Sequence, residues 1–400
     1  MNRVLFPFLA LIILFAFSGC ELLHAKPNDT GNIQSSSISA ENSTVPVVTD
    51  GNTSLQIPTI SVSMPIVRET QYANDDAEIF SYAYQNMSLI LPEPEVAEAI
   101  IIDFSNRVDK TSANADSIRA AAKADYNAGN WTPYLCEIIY NPMRIDSGVL
   151  SLLGNYASYS GTPHPESVDV SVSYDLVTGK VIALDDIFPK NAEITLSREV
   201  IEVLRSQKEE KYLFDDFEET VTDRFENGLS HENSWYFSNT GLCFYFSAYD
   251  IAPYSSGMIV AEIAYEKLAG LMNDAYFPAE LESVNGTLSA ELFNEDRLDE
   301  YDIFSEITIE KGATKALMYT DSSIYDVRIE TGSWSADGEM FIPQHTVYAA
   351  YALTKDSLII VESEIPDTLP RLRITYRAGG RSECLYLTDS GKDGSVYLTK

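Results

Sequence analysis

The sequence predicts an α+β fold, a mostly antiparallel sheet with packed helices, followed by a small all-β sandwich or barrel. Three observations carry this expectation. Between residues 60 and 278, period-2 and helical patterns take turns in the order strands, helix, strands, helix, strands, which is α+β. After Pro278 only short alternating runs remain, separated by turn residues. Finally, 400 residues with 45% apolar, 22% charged and 11% aromatic content suffice for about two hydrophobic cores.

Taken in order, ISVSMPIV from Ile60 and EIFSYAYQNMSLIL from Glu78 to Leu91 alternate as strands. Val96, Ile100, Phe104 and Val108 then fall four apart, one apolar stripe of a helix opened by Pro94. A second helix is predicted from Asp116 to Tyr126, ending near Asn127-Ala128-Gly129-Asn130. Trp131 to Ile145, Gly148 to Ser160 and Val168 to Leu176 read as consecutive strands, the last turning at Thr178-Gly179 into Lys180 to Leu184. Leu196, Val200, Val203 and Leu204 mark a further helix, and Phe214 to Phe225 an acidic one. Trp235 to Ile251 is expected as a strand, and Met258 to Tyr265 as a strand running into a short helix to Met272. Beyond Pro278, Asp337-Gly338 and Asp393-Gly394 are hairpin-turn dipeptides. The domain organisation that follows is a leader at 1–19, a flexible tether at 20–59, an α+β domain at 60–278 and a β-rich domain at 279–400.

The leader rests on the N-terminal pattern. Arg3 precedes a nearly wholly apolar stretch from Val4 to Phe17, the length of a signal-peptide core. Phe17-Ser18-Gly19-Cys20 then resembles a bacterial lipobox, which implies cleavage before Cys20 and its acylation. The plainer alternative is a secretory signal with an incidental cysteine. Residues 21–60 are rich in Ser, Thr, Asn and Pro without apolar periodicity, as suits a tether. The expected location is extracytoplasmic, lipid-anchored to the bacterial cell membrane.

The 27 Lys and Arg against 60 Asp and Glu give a net charge of −33, which excludes a nucleic-acid partner and favours a cationic one. No metal, cofactor or catalytic motif is recognisable: there is no HExxH, no Gly-x-Ser-x-Gly, no phosphate-binding loop and no Cys-x-x-Cys. Asp389 to Gly394 resembles a calcium loop only superficially and reads as a turn. Acidic runs such as Glu209-Glu210 and Asp215-Asp216 read as solvated helix faces. Cys136, Cys243 and Cys384 form either one disulfide with a free thiol or three small buried hydrophobes.

Two segments mix features that a plain strand does not need. Tyr156 to Pro165 places Tyr159 before a Gly/Pro-stiffened loop carrying Gly161, His164 and Pro165. Tyr249 to Gly257 ends a strand in a tight turn with Pro253, Tyr254 and Gly257. Stiff loops bearing aromatics make recognition surfaces, since they lose little entropy on binding. The alternative is a pair of β-turns whose tyrosines cap the core.

SGVLSLLGNYASYSGTPHPESVDVSVSYDLVTGKVIALDDIFP (148–190) and WYFSNTGLCFYFSAYDIAPYSSGMIVAEIAYEKLAGLM (235–272) resemble two halves of one module. That module is the extracellular part of RsiV-type anti-sigma factors, shared with the N-terminal part of PdaC-type peptidoglycan deacetylases. The resemblance covers about residues 60–275, and Thr162-Pro163 stands where the family more often has a small pair. It implies a non-catalytic ligand-binding module whose candidate partners are lysozyme or peptidoglycan-type glycan. Deacetylase chemistry resides elsewhere in that family, in a domain with Asp-Asp-Gly and paired histidines that residues 280–400 do not match. The expectation is therefore a binder and not an enzyme. The alternatives are an envelope glycan hydrolase using an unrecognised carboxylate pair, or a structural or adhesive lipoprotein.

Overall fold

The computed structural model describes residues 57–400 apart from 130–131, 163–164, 190–191, 227–233, 280, 282–283, 367–368 and 391. The leader, Cys20 and nearly all of the tether lie outside the described residues, as do His164 and His231. The strands are β1 (Ser61–Ser63), β2 (Ile66–Tyr72), β3 (Glu78–Gln85) and β4 (Ser88–Ile90), followed by helix α1 (Pro94–Ala128). Next come β5 (Tyr134–Ile145), β6 (Val149–Tyr159), β7 (Glu166–Asp175), α2 (Leu184–Ile187), α3 (Glu193–Lys211) and α4 (Phe217–Glu226). β8 (Trp235–Phe237), β9 (Gly241–Phe246), β10 (Ile259–Ala264) and α5 (Tyr265–Leu268) close this half. The remainder is β11 (Leu288–Leu292), β12 (Ile303–Thr308), β13 (Thr314–Thr320), β14 (Ile324–Trp334), β15 (Phe341–Leu353), β16 (Ser357–Ser363), β17 (Leu372–Ala378), β18 (Arg381–Asp389) and β19 (Val396–Thr399).

Among the described residues the strands form four sheets: β2-β3-β5-β6-β7, β10-β9-β8, β11-β13-β16-β12 and β19-β18-β17-β14-β15-β1-β4. Pairing is antiparallel except between β3 and β5 and between β12 and β16. α1 lies on one face of the five-stranded sheet. Its stripe of Ala97, Ile100, Phe104, Val108, Ala115, Ile118 and Ala122 is buried against Ile138, Tyr140 and Cys136 of β5, among others. The three-stranded sheet is covered on one face by α3 and α4, through Leu196, Val200, Leu204, Phe217, Val221 and Phe225. Its other face sets Tyr236, Cys243 and Tyr245 against Met143 and Leu153 of the five-stranded sheet. In the C-terminal region the four-stranded and seven-stranded sheets share one core, with Met318, Ile359 and Val361 against Val327, Ile329 and Ile374. Among the described residues no closed barrel forms, and the fold is mixed α+β with mostly antiparallel sheets.

The two helices expected around α1 are one helix. The segment Asp109 to Ala115 contains neither Gly nor Pro, and Val108 and Ala115 stand seven apart, so the buried stripe continues without a break. Helix α1 stops at Gly129, whose φ of 79° lets its N–H reach the carbonyls of Asp125 and Tyr126. The single strand expected from Trp235 to Ile251 is instead the β8–β9 hairpin. Gly241 is required there, because a Cβ would stand 2.4 Å from the Ile263 carbonyl oxygen. Lys180 to Leu184 forms only an isolated bridge, Val181 to Tyr174, before α2 begins. Cys136, Cys243 and Cys384 are all free; the first two are buried and Cys384 is exposed, so neither disulfide nor burial accounts for all three.

The chain also crosses the 278/279 boundary. β1 is hydrogen-bonded on one side to β15 (Val62 opposite Ala349) and on the other to β4 (Val62 opposite Leu89). The boundary thus divides the chain, whereas the seven-stranded sheet takes strands from both sides of it.

Candidate functional site

The first singled-out segment closes the β6–β7 hairpin. Tyr159 is half-buried and meets the ring of Tyr134 edge-on, with centroids 6.0 Å apart. Gly161 is exposed with φ 79°, and a Cβ there would stand 2.5 Å from the Tyr134 hydroxyl oxygen. Tyr134 donates its hydroxyl proton to Asp125 near the end of α1. This hydrogen bond, with burial second, pushes the phenol up to about 12. The next residue, Tyr126, donates to Asp75 at 2.6 Å, which lowers the Asp75 pKa. Pro165 is half-buried at the start of β7, and Ser158 donates to Glu166 at 3.2 Å. The hairpin end is therefore a tyrosine cluster held by carboxylates, its loop pinned over Tyr134 by the absence of a side chain at residue 161.

The second segment follows β9. Tyr249 takes a φ of 73° and is 53% exposed, and its ring lies 5.7 Å from that of Tyr254. Pro253 opens a single 3-10 turn over Tyr254–Ser256, in which the Ser256 N–H donates to the Pro253 carbonyl at 2.9 Å. Gly257 is buried with φ 65° and ψ −153°, a backbone conformation that glycine adopts without strain. α3 and α4 brace the turn: Ser256 Oγ donates to the Lys211 carbonyl at 2.7 Å, and Arg224 pairs with Asp250 at 3.1 Å. Tyr159 and Gly161 thus gather on Tyr134, and Pro253, Tyr254 and Gly257 gather beside Tyr249. The two groups rest on different sheets.

Further polar groups carry no local sequence signal. On the face of the five-stranded sheet opposite α1, Glu137, Ala157 and Ser167 form one cross-strand row, and Asn155 and Asp169 the next. Asn155 Nδ2 donates to Asp169 Oδ1 at 2.9 Å and to Ser167 Oγ at 3.0 Å. Burial raises the pKa of both Glu137 and Asp169. His345 of β15 has a buried Nδ1 with no partner, and burial followed by the Arg68 charge lowers its pKa. Elsewhere, Arg144 is 1% exposed. Its Nε stands 2.6 Å from Asp146 Oδ2, and its Nη1 donates to the Tyr265 hydroxyl at 2.8 Å and the Tyr276 carbonyl at 2.7 Å. Sheet register brings Glu137, Asn155 and Asp169 onto one face, and folding brings Arg144 to Tyr265 and Tyr276, 121 and 132 residues along the chain.

Residues 185–266 match the family model described as "Protein of unknown function (DUF3298)". No curated protein matches the chain. Among solved structures, it is similar to a DUF3298 family member from Bacteroides fragilis at 16% identity and a TM-score of 0.40, covering 54% of this chain and 94% of that one. It is likewise similar to a DUF3298 family protein from Pseudomonas aeruginosa at 16% identity and a TM-score of 0.37, covering 55% of this chain and 97% of that one. The stretch that runs from α2 through the three-stranded sheet, and includes the turn at 249–257, is thus a DUF3298 domain.

Proposed function

We propose that residues 60–278 form a non-catalytic binding module held outside a bacterial cell through acylated Cys20. The module recognises a cationic, lysozyme-type protein, with peptidoglycan-type glycan as the other candidate ligand. The observation that carries this reading is the hairpin end: Tyr159 and Gly161 are fixed over Tyr134, with Asp125, Asp75 and Glu166 around them. Rigid tyrosines among carboxylates suit a cationic protein surface, and a net charge of −33 accelerates its approach. The DUF3298 domain is compatible with the resemblance to RsiV-type and PdaC-type modules, since it contains the second recognition segment.

Calorimetry of the full chain with a c-type lysozyme at low ionic strength tests this. The expected result is a complex that weakens with salt, and about tenfold again in Tyr159→Ala or Tyr254→Ala, or ~1.4 kcal/mol. Absence of a complex at low salt removes lysozyme; retention on purified cell wall without turnover then supports glycan.

Glu137 and Asp169 favour a second reading, a glycan hydrolase, because they are carboxylates of raised pKa on one sheet face. Release of soluble glycan from cell wall, abolished in Glu137→Gln and Asp169→Asn, would establish it.

A further inference from the structure

A cavity of about 380 Å³ opens where Pro278 and Ala279 lead from the DUF3298 domain toward the seven-stranded sheet. Arg144, Asn239, Pro278, Asp326, Tyr351 and Arg377 are among the residues that line it. Its volume lies at the lower end of the range for small-molecule sites, enough for about one sugar ring.

The charges around the cavity are not equivalent. Arg144 is committed to Asp146, whose Oδ1 also accepts the N–H groups of Gly148 and Val149 at 2.8 and 2.9 Å. Asp326 is committed to Arg328 at 3.2 Å and to the Asn239 amide at 2.9 Å. Arg377 is exposed on β17 and pairs with no carboxylate among the described residues. Arg377 is thus free to take an anionic group entering the cavity. Around it stand an amide carbonyl (Asn239), carboxylate lone pairs (Asp326) and an apolar wall of Tyr351 and Pro278.

We propose that this cavity binds a monosaccharide-sized sugar acid: Arg377 takes the carboxylate, Asn239 and Asp326 accept ring hydroxyl or amide protons, and Tyr351 and Pro278 cover an apolar ring face. Arginine matches a carboxylate with two parallel N–H donors, which a lysine cannot reproduce. The site is separate from the hairpin end and does not require lysozyme recognition.

The test uses the full chain with N-acetylmuramic acid and glucuronate as probes, followed by saturation-transfer NMR and calorimetry, and N-acetylglucosamine as the ring without a carboxylate. At least one of the acids should bind, N-acetylglucosamine should not, and Arg377→Gln should weaken binding by about tenfold or more while Arg377→Lys recovers part of it. Arg377 is exposed, so these variants leave the core intact. Failure of both acids to bind at millimolar concentration, or binding unchanged by Arg377→Gln, overturns the proposal. Tyr159→Ala should leave sugar-acid binding unchanged, so the outcome is separable from that of the lysozyme experiment.

Discussion

Replacing Arg144 by Met should be among the most damaging single changes in residues 60–278. The side chain is 1% exposed, and both it and Asp146 are withdrawn from water, with Nη2 and Oδ2 2.6 Å apart. The guanidinium also lies 5.3 Å over the Phe237 ring and 5.4 Å over the Tyr265 ring. At an effective dielectric near 20, unit charges about 4 Å apart attract by about 4 kcal/mol. Deleting one partner of such a pair leaves the other buried and uncompensated, at a cost of about 3–5 kcal/mol. Met roughly preserves the volume, so the loss reports the charge and its hydrogen bonds. In the double variant Arg144→Met with Asp146→Asn, the amide oxygen still accepts the N–H groups of Gly148 and Val149. That variant should be more stable than the sum of its single changes by about 1–3 kcal/mol. Urea denaturation followed by fluorescence reads this directly, since Trp235 packs edge-on against Phe237 at 5.5 Å. A loss below about 1 kcal/mol in Arg144→Met, or strict additivity in the double variant, refutes the reasoning.

Gly161→Ala should destabilise by about 1–2 kcal/mol through its positive φ alone, and displace Tyr134 from Asp125; a thermal midpoint equal to the parent's would contradict this. For His345 the folded pKa lies below the ordinary 6.5, so the unfolded chain takes up the proton first and stability is lost as pH falls through 6.5. Glu137 acts oppositely: its folded pKa is raised above 4.5, so its contribution grows as pH falls toward 4.5. His345→Gln should therefore flatten the fall in urea midpoint just below pH 6.5, and an unchanged slope refutes the assignment. Burial pushes the thiols of Cys136 and Cys243 up to about 11 and about 12, so maleimide at neutral pH should label Cys384 and spare both until the protein unfolds. Peptide mass analysis showing native labelling of Cys243 would overturn that.

Elements with strong local periodicity are legible in the sequence, and those decided by distant partners are not. The stripe of Val96 to Val108, the alternation of β5 to β7 and the Asp-Gly turns are local properties, and the structure has all three. The continuity of α1 depends on Ala115, a small residue that matters only because β3 and β5 lie beneath it. Met340 to Ile342 and Val347 to Leu353 read in the sequence as two short alternating runs, with Pro343 between them. In β15 that proline instead sits where the register with β14 shifts, between Thr331 and Gly332, so one strand passes through it. The two Tyr-bearing turns are legible because Gly, Pro and Tyr act locally. Arg144 with Tyr265, Glu137 with Asp169, and Arg377 with Asn239 are separated by far more chain than any motif spans; only folding joins them.

The position of β1 constrains how the functional regions can be separated experimentally. A binding module ending near residue 278 invites removal of residues 279–400. β1, however, lies between β15 and β4 with Ser61, Val62 and Ser63 all buried, and Ala349, Tyr351 and Ala352 of β15 share a core with Phe104 of α1. Truncation would strip β1 of one hydrogen-bonded neighbour and open the core above α1, leaving an unpaired strand edge beside exposed Val62 and Leu89. Loss of binding in such a fragment would report unfolding as readily as loss of a contact. The same geometry places the sugar-acid cavity where linker and seven-stranded sheet meet, so it exists only while both halves are present. Exposed single positions, Tyr249 for the turn and Arg377 for the cavity, therefore discriminate between the readings, whereas deletion of either half removes the ground on which both stand.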